Sequence, residues 1–135
     1  MEEMTVQATI DQVEAVTVFV NRQLDALHCP VAVRIQIDIA IDELFSNIAK
    51  YAYPQEAGPA TVRVDVTEEP RCVIITFMDH GKPYDPLSAA APDLTSAAKE
   101  RRIGGLGVYM VKNTMDDIAY EYRDDMNILT IRKRV

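Results

Sequence analysis

Cysteine is scarce in this chain of 135 residues, with only Cys29 and Cys72. The two stand far apart and form no Cys-x-x-Cys pair. Neither His28 nor His80 completes a ligand spacing with them, so no structural zinc is expected. Two isolated thiols suit a reduced, core-type role better than a disulfide framework. Long apolar runs are missing as well: none approaches the roughly 18 residues of a membrane span. The opening Met-Glu-Glu-Met lacks the basic-then-apolar pattern of a secretory signal, and a cytoplasmic protein with no membrane partner is expected. No repeat, low-complexity stretch or linker divides residues 1–135, which we read as one domain. Positive charge is also in deficit. A net charge of -7 argues against direct nucleic-acid binding, which normally needs a basic surface. Any phosphate site must then draw on local positive potential from backbone N–H groups, a metal ion or a few basic side chains.

What is present is an ordinary folding composition, 48% apolar and 26% charged. Met4 to Ile10 alternates and predicts a strand. Asp11 and Glu14 have the spacing of a capping box, ahead of Val13, Val16, Val20, Leu24 and Leu27 at helical intervals; that helix should end near His28. Val33, Ile35, Ile37, Ile39 and Ile41 alternate like a strand. Ile37, Ile41, Leu44 and Ile48 fit a helical stripe that runs on to Tyr51, with Pro30 suitably placed near a helix start. We expect a helix here, with tertiary packing overriding the β-branched content. Strands follow over Ala60–Thr67 and Arg71–Met78, joined as a hairpin. His80 to Ile103 has no apolar period and is broken by Pro83, Pro86 and Pro92. So long a connection is usually functional, and we expect a mobile lid. A helix from Gly107 to Met115, with Val108, Val111 and Met115 inward, precedes a last hairpin over Ile118–Tyr122 and Ile128–Arg132. The order β-α-α-β-β-α-β-β predicts an α+β, two-layer sandwich. It would pair one mixed, mostly antiparallel sheet with about three helices on one face.

Three weak signals occur in this frame. Glu43 and Asn47 are four residues apart on one helix face and can address one site. An amide oxygen suits magnesium, a hard ion often held by few protein groups together with phosphate oxygens. Glu43 could polarise an attacking water or hydroxyl, and Lys50 could reach a phosphate as a point charge. The plain alternative is a solvated helix face. Asp79 ends an apolar strand, where its carboxylate can accept a hydrogen bond from an adenine amino group, while Gly81 lets a base approach the backbone. The commoner reading of a lone Asp-x-Gly is an acidic turn. Gly104-Gly105-Leu106-Gly107 enters a helix, where unpaired N–H groups and the helix dipole favour anions. It is neither a P-loop nor a dinucleotide fingerprint. Arg101 and Arg102, just before it, would add positive charge. Together the three signals supply the parts that hold magnesium, a purine and a polyphosphate, and the chain reads as ATP-binding.

These residues resemble the motifs of the GHKL ATPases, the superfamily that includes gyrase and histidine-kinase ATP-binding domains. Glu43-x-x-x-Asn47 is similar to its N box, Asp79-x-Gly81 to its first glycine box and Gly104-Gly-Leu-Gly107 to its second. Thr130 falls where the family often places a threonine near adenine-bound water. The resemblance runs from about Met4 to Lys133, and implies the Bergerat-type ATP-binding fold. Within the superfamily the chain looks most like the bacterial anti-sigma factor serine/threonine kinases, although Tyr51 stands where many members have a histidine. The resemblance implies ATP and magnesium as cofactors, a sigma factor as sequestered partner, an anti-anti-sigma antagonist as phosphorylated partner, and a homodimer. By the same resemblance Glu43 is the catalytic base and Asn47 the magnesium ligand. Asp79 and Gly81 hold adenine, and Gly105, Leu106 and Gly107 hold phosphates. A non-catalytic, nucleotide-dependent interaction module of the same fold is the alternative.

Overall fold

The structure, a computed structural model, describes residues 1–88 and 105–135. Strand β1 (Glu2–Gln7) leads through a short 3-10 turn (Ile10–Gln12) into helices α1 (Val13–Ala26) and α2 (Val31–Tyr51). Strands β2 (Pro59–Thr67) and β3 (Cys72–Asp79) follow, then helix α3 (Gly105–Thr114) and strands β4 (Asp117–Arg123) and β5 (Met126–Arg134). The element order is the one expected. The sheet is not mixed, however: the order is β1-β2-β3-β5-β4 and every neighbouring pair is antiparallel. Hairpins account for β2–β3 and β4–β5, and the longer connections happen to return antiparallel too.

Strand pleating decides which side chains enter the core. Val73, Ile75 and Phe77 of β3 and Leu129 and Ile131 of β5 pack in one cluster with Val16, Val20 and Leu24 of α1, Ile37, Ile41, Leu44 and Phe45 of α2, and Val111 of α3. The alternate residues, among them Arg63, Thr76 and Thr130, point to the other face and stay outside that cluster. Burial of these apolar groups is the main force holding helices to sheet.

The segment that could be read either way is α2. Its inward stripe is Ile37, Ala40, Ile41, Leu44 and Ile48, whereas Ile35 and Ile39 are 53% and 42% exposed. A strand would have put Ile35, Ile37 and Ile39 on one face. α1 and α2 are also tied by polar contacts. Asn21 donates to Asp38 Oδ1 at 2.7 Å and accepts from Arg34 Nη2 at 3.0 Å. The expected capping box at Asp11 and Glu14 does not form. Asp11 lies in the 3-10 turn, where Thr9 donates to its carboxylate, and α1 starts at Val13 with no side-chain cap. Helix α1 ends as His28 adopts a φ of 53° ahead of Pro30. Both cysteines are buried and unbridged, and burial pushes the Cys29 thiol pKa up. Among the described residues no helix is long and apolar enough to cross a membrane.

Candidate functional site

The C-terminal half of α2 lies over the end of the sheet where β3 finishes. Between them is a small cavity of about 30 Å³, lined by α2 (Leu44, Asn47, Ile48), the residue that closes it (Ala52), and the strand residues Phe77, Asp79, Tyr120, Asn127 and Leu129. Tyr84 and Pro86, from the loop after β3, complete the wall.

Burying a polar group is costly unless it is partnered. Among the described residues three polar or charged side chains are buried: Asn47, Asp79 and Asn127, at 4%, 3% and 6% exposure. All three line this cavity. Asp79 and Asn127 are direct partners across β3 and β5, and the pleat turns both toward the helices. Asp79 Oδ1 accepts from the Gly81 N–H and from Asn127 Nδ2, each at 2.9 Å. Its Oδ2 receives no hydrogen bond from the described residues. Asn47 Nδ2 is buried with no partner at all among them. Such an orphaned amide end is costly in a finished core and ordinary in a site awaiting a ligand. Turned over, the amide presents Oδ1 to the same point, a donor suited to a hard cation.

The loop after β3 is fastened to the end of α2. Lys82 N–H donates to the Ala52 carbonyl at 2.9 Å. A Cβ on Gly81 would lie 2.2 Å from that same oxygen, so the close approach requires glycine. Tyr53 adds a second tie: its hydroxyl donates to the Pro59 carbonyl at 2.6 Å and accepts the His80 N–H at 2.9 Å. Tyr84 stacks on Tyr51 with ring centroids 5.3 Å apart. Burial pushes the phenol pKa values of Tyr53, Tyr84 and Tyr120 up, so these groups stay protonated and able to donate near neutral pH.

The other expected residues divide. Glu43 is half-buried one turn before Asn47 and does not line the cavity. Its carboxylate lies against the first turn of α3, where a Cβ on Gly107 would fall 1.8 Å from Oε2. The structure thus brings Glu43 and the glycine-rich helix entrance together. Gly105 and Leu106 form the start of α3, two residues earlier than expected for that helix. Lys50 is exposed in the last turn of α2, outside the cavity, where a cation complements the helix dipole. Thr130 is a correction. It pairs with Thr76 and Ala119 on the sheet face away from the helices, because it is three residues from Asn127 and so of opposite parity. Asn127 occupies the inward position instead. Gly104, Arg101, Arg102 and most of the expected lid fall outside the described residues.

Sequence reasoning missed Asn127, Tyr120, Tyr84 and Tyr53. For Asn127 a signal existed. It shares parity with Leu129 and Ile131, and a polar amide in line with two core residues of a strand is unusual. The tyrosines carried no comparable mark.

Known proteins resemble this arrangement in sequence. The chain is 29% identical over 98 residues to the serine/threonine-protein kinase BtrW of Bordetella bronchiseptica, covering 73% of this chain and 68% of that protein. It is 28% identical over 98 residues to the serine-protein kinase RsbW of Listeria monocytogenes, covering 69% and 61%. It is 28% identical over 91 residues to an anti-sigma F factor of Bacillus licheniformis, covering 67% and 62%. The matches to the last two span less than two thirds of those proteins. A family model described as a histidine kinase-like ATPase domain matches residues 6–133. With nearly all of its length matched, this chain belongs to the histidine kinase-like ATPase domain family.

Proposed function

We propose that the chain binds ATP in this cavity, transfers its γ-phosphoryl group to a serine or threonine of an anti-anti-sigma antagonist, and sequesters a sigma factor. The single observation that carries ATP binding is the convergence of the three buried polar side chains on one pocket. The names of the relatives support the kinase and anti-sigma roles.

In this reading the purine enters the apolar part of the cavity, between α2 and the sheet. Asp79 Oδ2 accepts from the exocyclic amino group of adenine. The N-terminal turn of α3, Gly105 to Gly107, offers backbone N–H groups and the positive end of its dipole to the phosphates. Lys50 can reach them as a point charge. Asn47 would hold magnesium together with phosphate oxygens, and the ion when bound would neutralise charge developing on the phosphoryl group. The acceptor hydroxyl attacks the γ-phosphorus and its new O–P bond replaces the bond to the β–γ bridging oxygen. ADP departs with that electron pair, and Glu43 takes the hydroxyl proton. Such catalysis rests chiefly on alignment and charge stabilisation.

The test is transfer of label from ATP to the cognate antagonist. Glu43→Ala should reduce the transfer rate by about 10²–10⁴-fold, the usual worth of a general base, with ATP affinity retained in calorimetry. Transfer undiminished by this change would remove Glu43 from the chemistry. Antagonist binding that depends on nucleotide, with no phosphoprotein formed, would mark an interaction module instead.

A further inference from the structure

We infer that the outward ridge of α2, formed by Val31, Ile35 and Ile39, is the docking surface for the protein that supplies the acceptor hydroxyl. It takes an apolar patch of that partner, with a basic side chain beside the acceptor serine or threonine. The inference rests on the reading of Glu43 as the base of a phosphoryl transfer.

Helix α2 carries two apolar stripes where a surface helix needs one. The inner stripe, Ile37, Ile41, Leu44 and Ile48, lies in the core. The outer one recurs at i, i+4 and i+8, with Val31 72%, Ile35 53% and Ile39 42% exposed. Four residues apart, these side chains stand one above another in a single row. The described core makes no use of them. β-branched residues are poorer helix formers than lysine, glutamate or alanine, and apolar surface left in water forgoes the gain of burial. Scattered exposed apolar residues are ordinary. A contiguous row on one rigid helix is how anchors are offered to another protein. On the neighbouring helix, Met110, three residues past Gly107, is 45% exposed and adds apolar surface.

The next step of the row identifies the occupant. Four residues after Ile39 comes Glu43, about 6 Å further along the same row. Its carboxylate lies against the first turn of α3 and does not line the purine cavity. An acceptor hydroxyl must come within hydrogen-bond reach of this group. The inward side of α2 is closed by the core, so the hydroxyl arrives over the outward side. The protein that carries it then rests on the adjoining turns, those of Ile39, Ile35 and Val31. Charge points the same way. Exposed Asp42 flanks the row beside Glu43, and the chain as a whole carries a net charge of -7. A basic side chain next to the acceptor hydroxyl meets that carboxylate, whereas an acidic one is repelled.

The experiment uses a purified anti-anti-sigma protein that the wild-type chain phosphorylates. Its KM and kcat are measured at saturating ATP for the wild type, Ile35→Lys and Ile39→Lys. The control is Ile10→Lys, at a 53% exposed site in the 3-10 turn and off the row. Lysine suits an exposed helical position, and melting curves check the folding. Each ridge variant should raise KM about tenfold or more, as loss of an interface anchor does, with kcat and ATP affinity within about twofold of wild type. Ile10→Lys should change neither. Asp42→Asn should raise KM at low salt and less at high salt; indifference to that change overturns the basic side chain.

An unchanged KM in folded ridge variants overturns the docking surface. Two companion results would then name another occupant: loss of sigma-factor sequestration, or a dimer reduced to monomers in sedimentation. A lysine variant that does not fold is replaced by its alanine counterpart, for which a rise of about fivefold is expected and no rise overturns the inference. A wild-type chain that binds ATP and phosphorylates no such protein overturns the kinase reading, and the inference falls with it. That result is distinct from phosphorylation with an unmoved KM.

Discussion

Gly81 and Gly107 both lack a side chain because another group fills its place, but the groups differ in how readily they move. At Gly81 the obstacle is the Ala52 backbone carbonyl, which also accepts the Lys82 N–H. Backbone cannot step aside, so Gly81→Ala should cost about 2 kcal/mol or more by overpacking. A lowered melting temperature and lost nucleotide binding would be seen together. At Gly107 the obstacle is the end of the Glu43 side chain. It can swing away, so Gly107→Ala should change stability by less than about 1 kcal/mol. Phosphoryl transfer should drop much more than ATP affinity, because the proposed base is displaced while the purine pocket is untouched. Stability losses of similar size in both variants would contradict this account. At this scale the sequence was a partial guide. The four-residue spacing of Glu43 and Asn47 put them on adjoining turns without any structure. Thr130, expected from the resemblance alone, sits at the outward parity of β5. Ile128, Leu129 and Ile131 are all apolar, so the alternation that would have fixed parity is blurred in β5.

Helix α2 is the element where two periodicities competed, and it makes the difference measurable. Ile37→Ala empties a fully buried position and should cost about 2–5 kcal/mol. Ile35→Ala, two residues earlier in the same alternating run, changes an exposed site and should cost no more than about 0.5 kcal/mol. Equal losses in chemical denaturation would place the two side chains on one face, against the helix. The extent of the helix was legible because its stripe continued through Leu44 and Ile48 after the alternation had ceased. The start of α1 was not, since a capping-box spacing says nothing about which residue first turns helical; here the intervening 3-10 turn took Asp11. The last hairpin was foreseen, and the detail of its turn between Arg123 and Met126 explains why two residues suffice. Asp124 and Asp125 both have positive φ, 55° and 61°, as a tight hairpin of primed type requires. Asp125→Gly should therefore stabilise the fold, by about 0.5–1 kcal/mol, since glycine adopts that conformation without a steric penalty.

On the scale of the whole molecule, three tyrosines link stability to alkaline pH. Tyr53, Tyr84 and Tyr120 all have folded pKa values raised above the ordinary 10.0, with burial the leading cause. A raised pKa means that the folded state keeps its proton after the unfolded state has lost it. The contribution is complete below about pH 10 and is lost as pH rises through the folded values. Melting temperature should hold level on approach to pH 9, where the unfolded Cys29 thiol begins to ionise, and fall further beyond pH 10 in step with tyrosinate absorbance; a decline that starts near neutrality would need another group. Magnesium and ATP should stabilise the fold through mass action, by about 2.7 kcal/mol at a hundredfold excess over Kd, and raise the melting temperature accordingly. The fold class was legible because the order of elements and their amphipathic patterns agreed. Strand adjacency was not, because periodicity within a segment does not reveal its neighbour. That adjacency has a consequence for biosynthesis. With β5 inserted between β3 and β4, Asp79 meets its amide partner 48 residues further along the chain. A ribosome-bound fragment that stops short of Met126 has α2 and β3 but not the floor of the pocket, so nucleotide capture must wait until the final hairpin has emerged and docked.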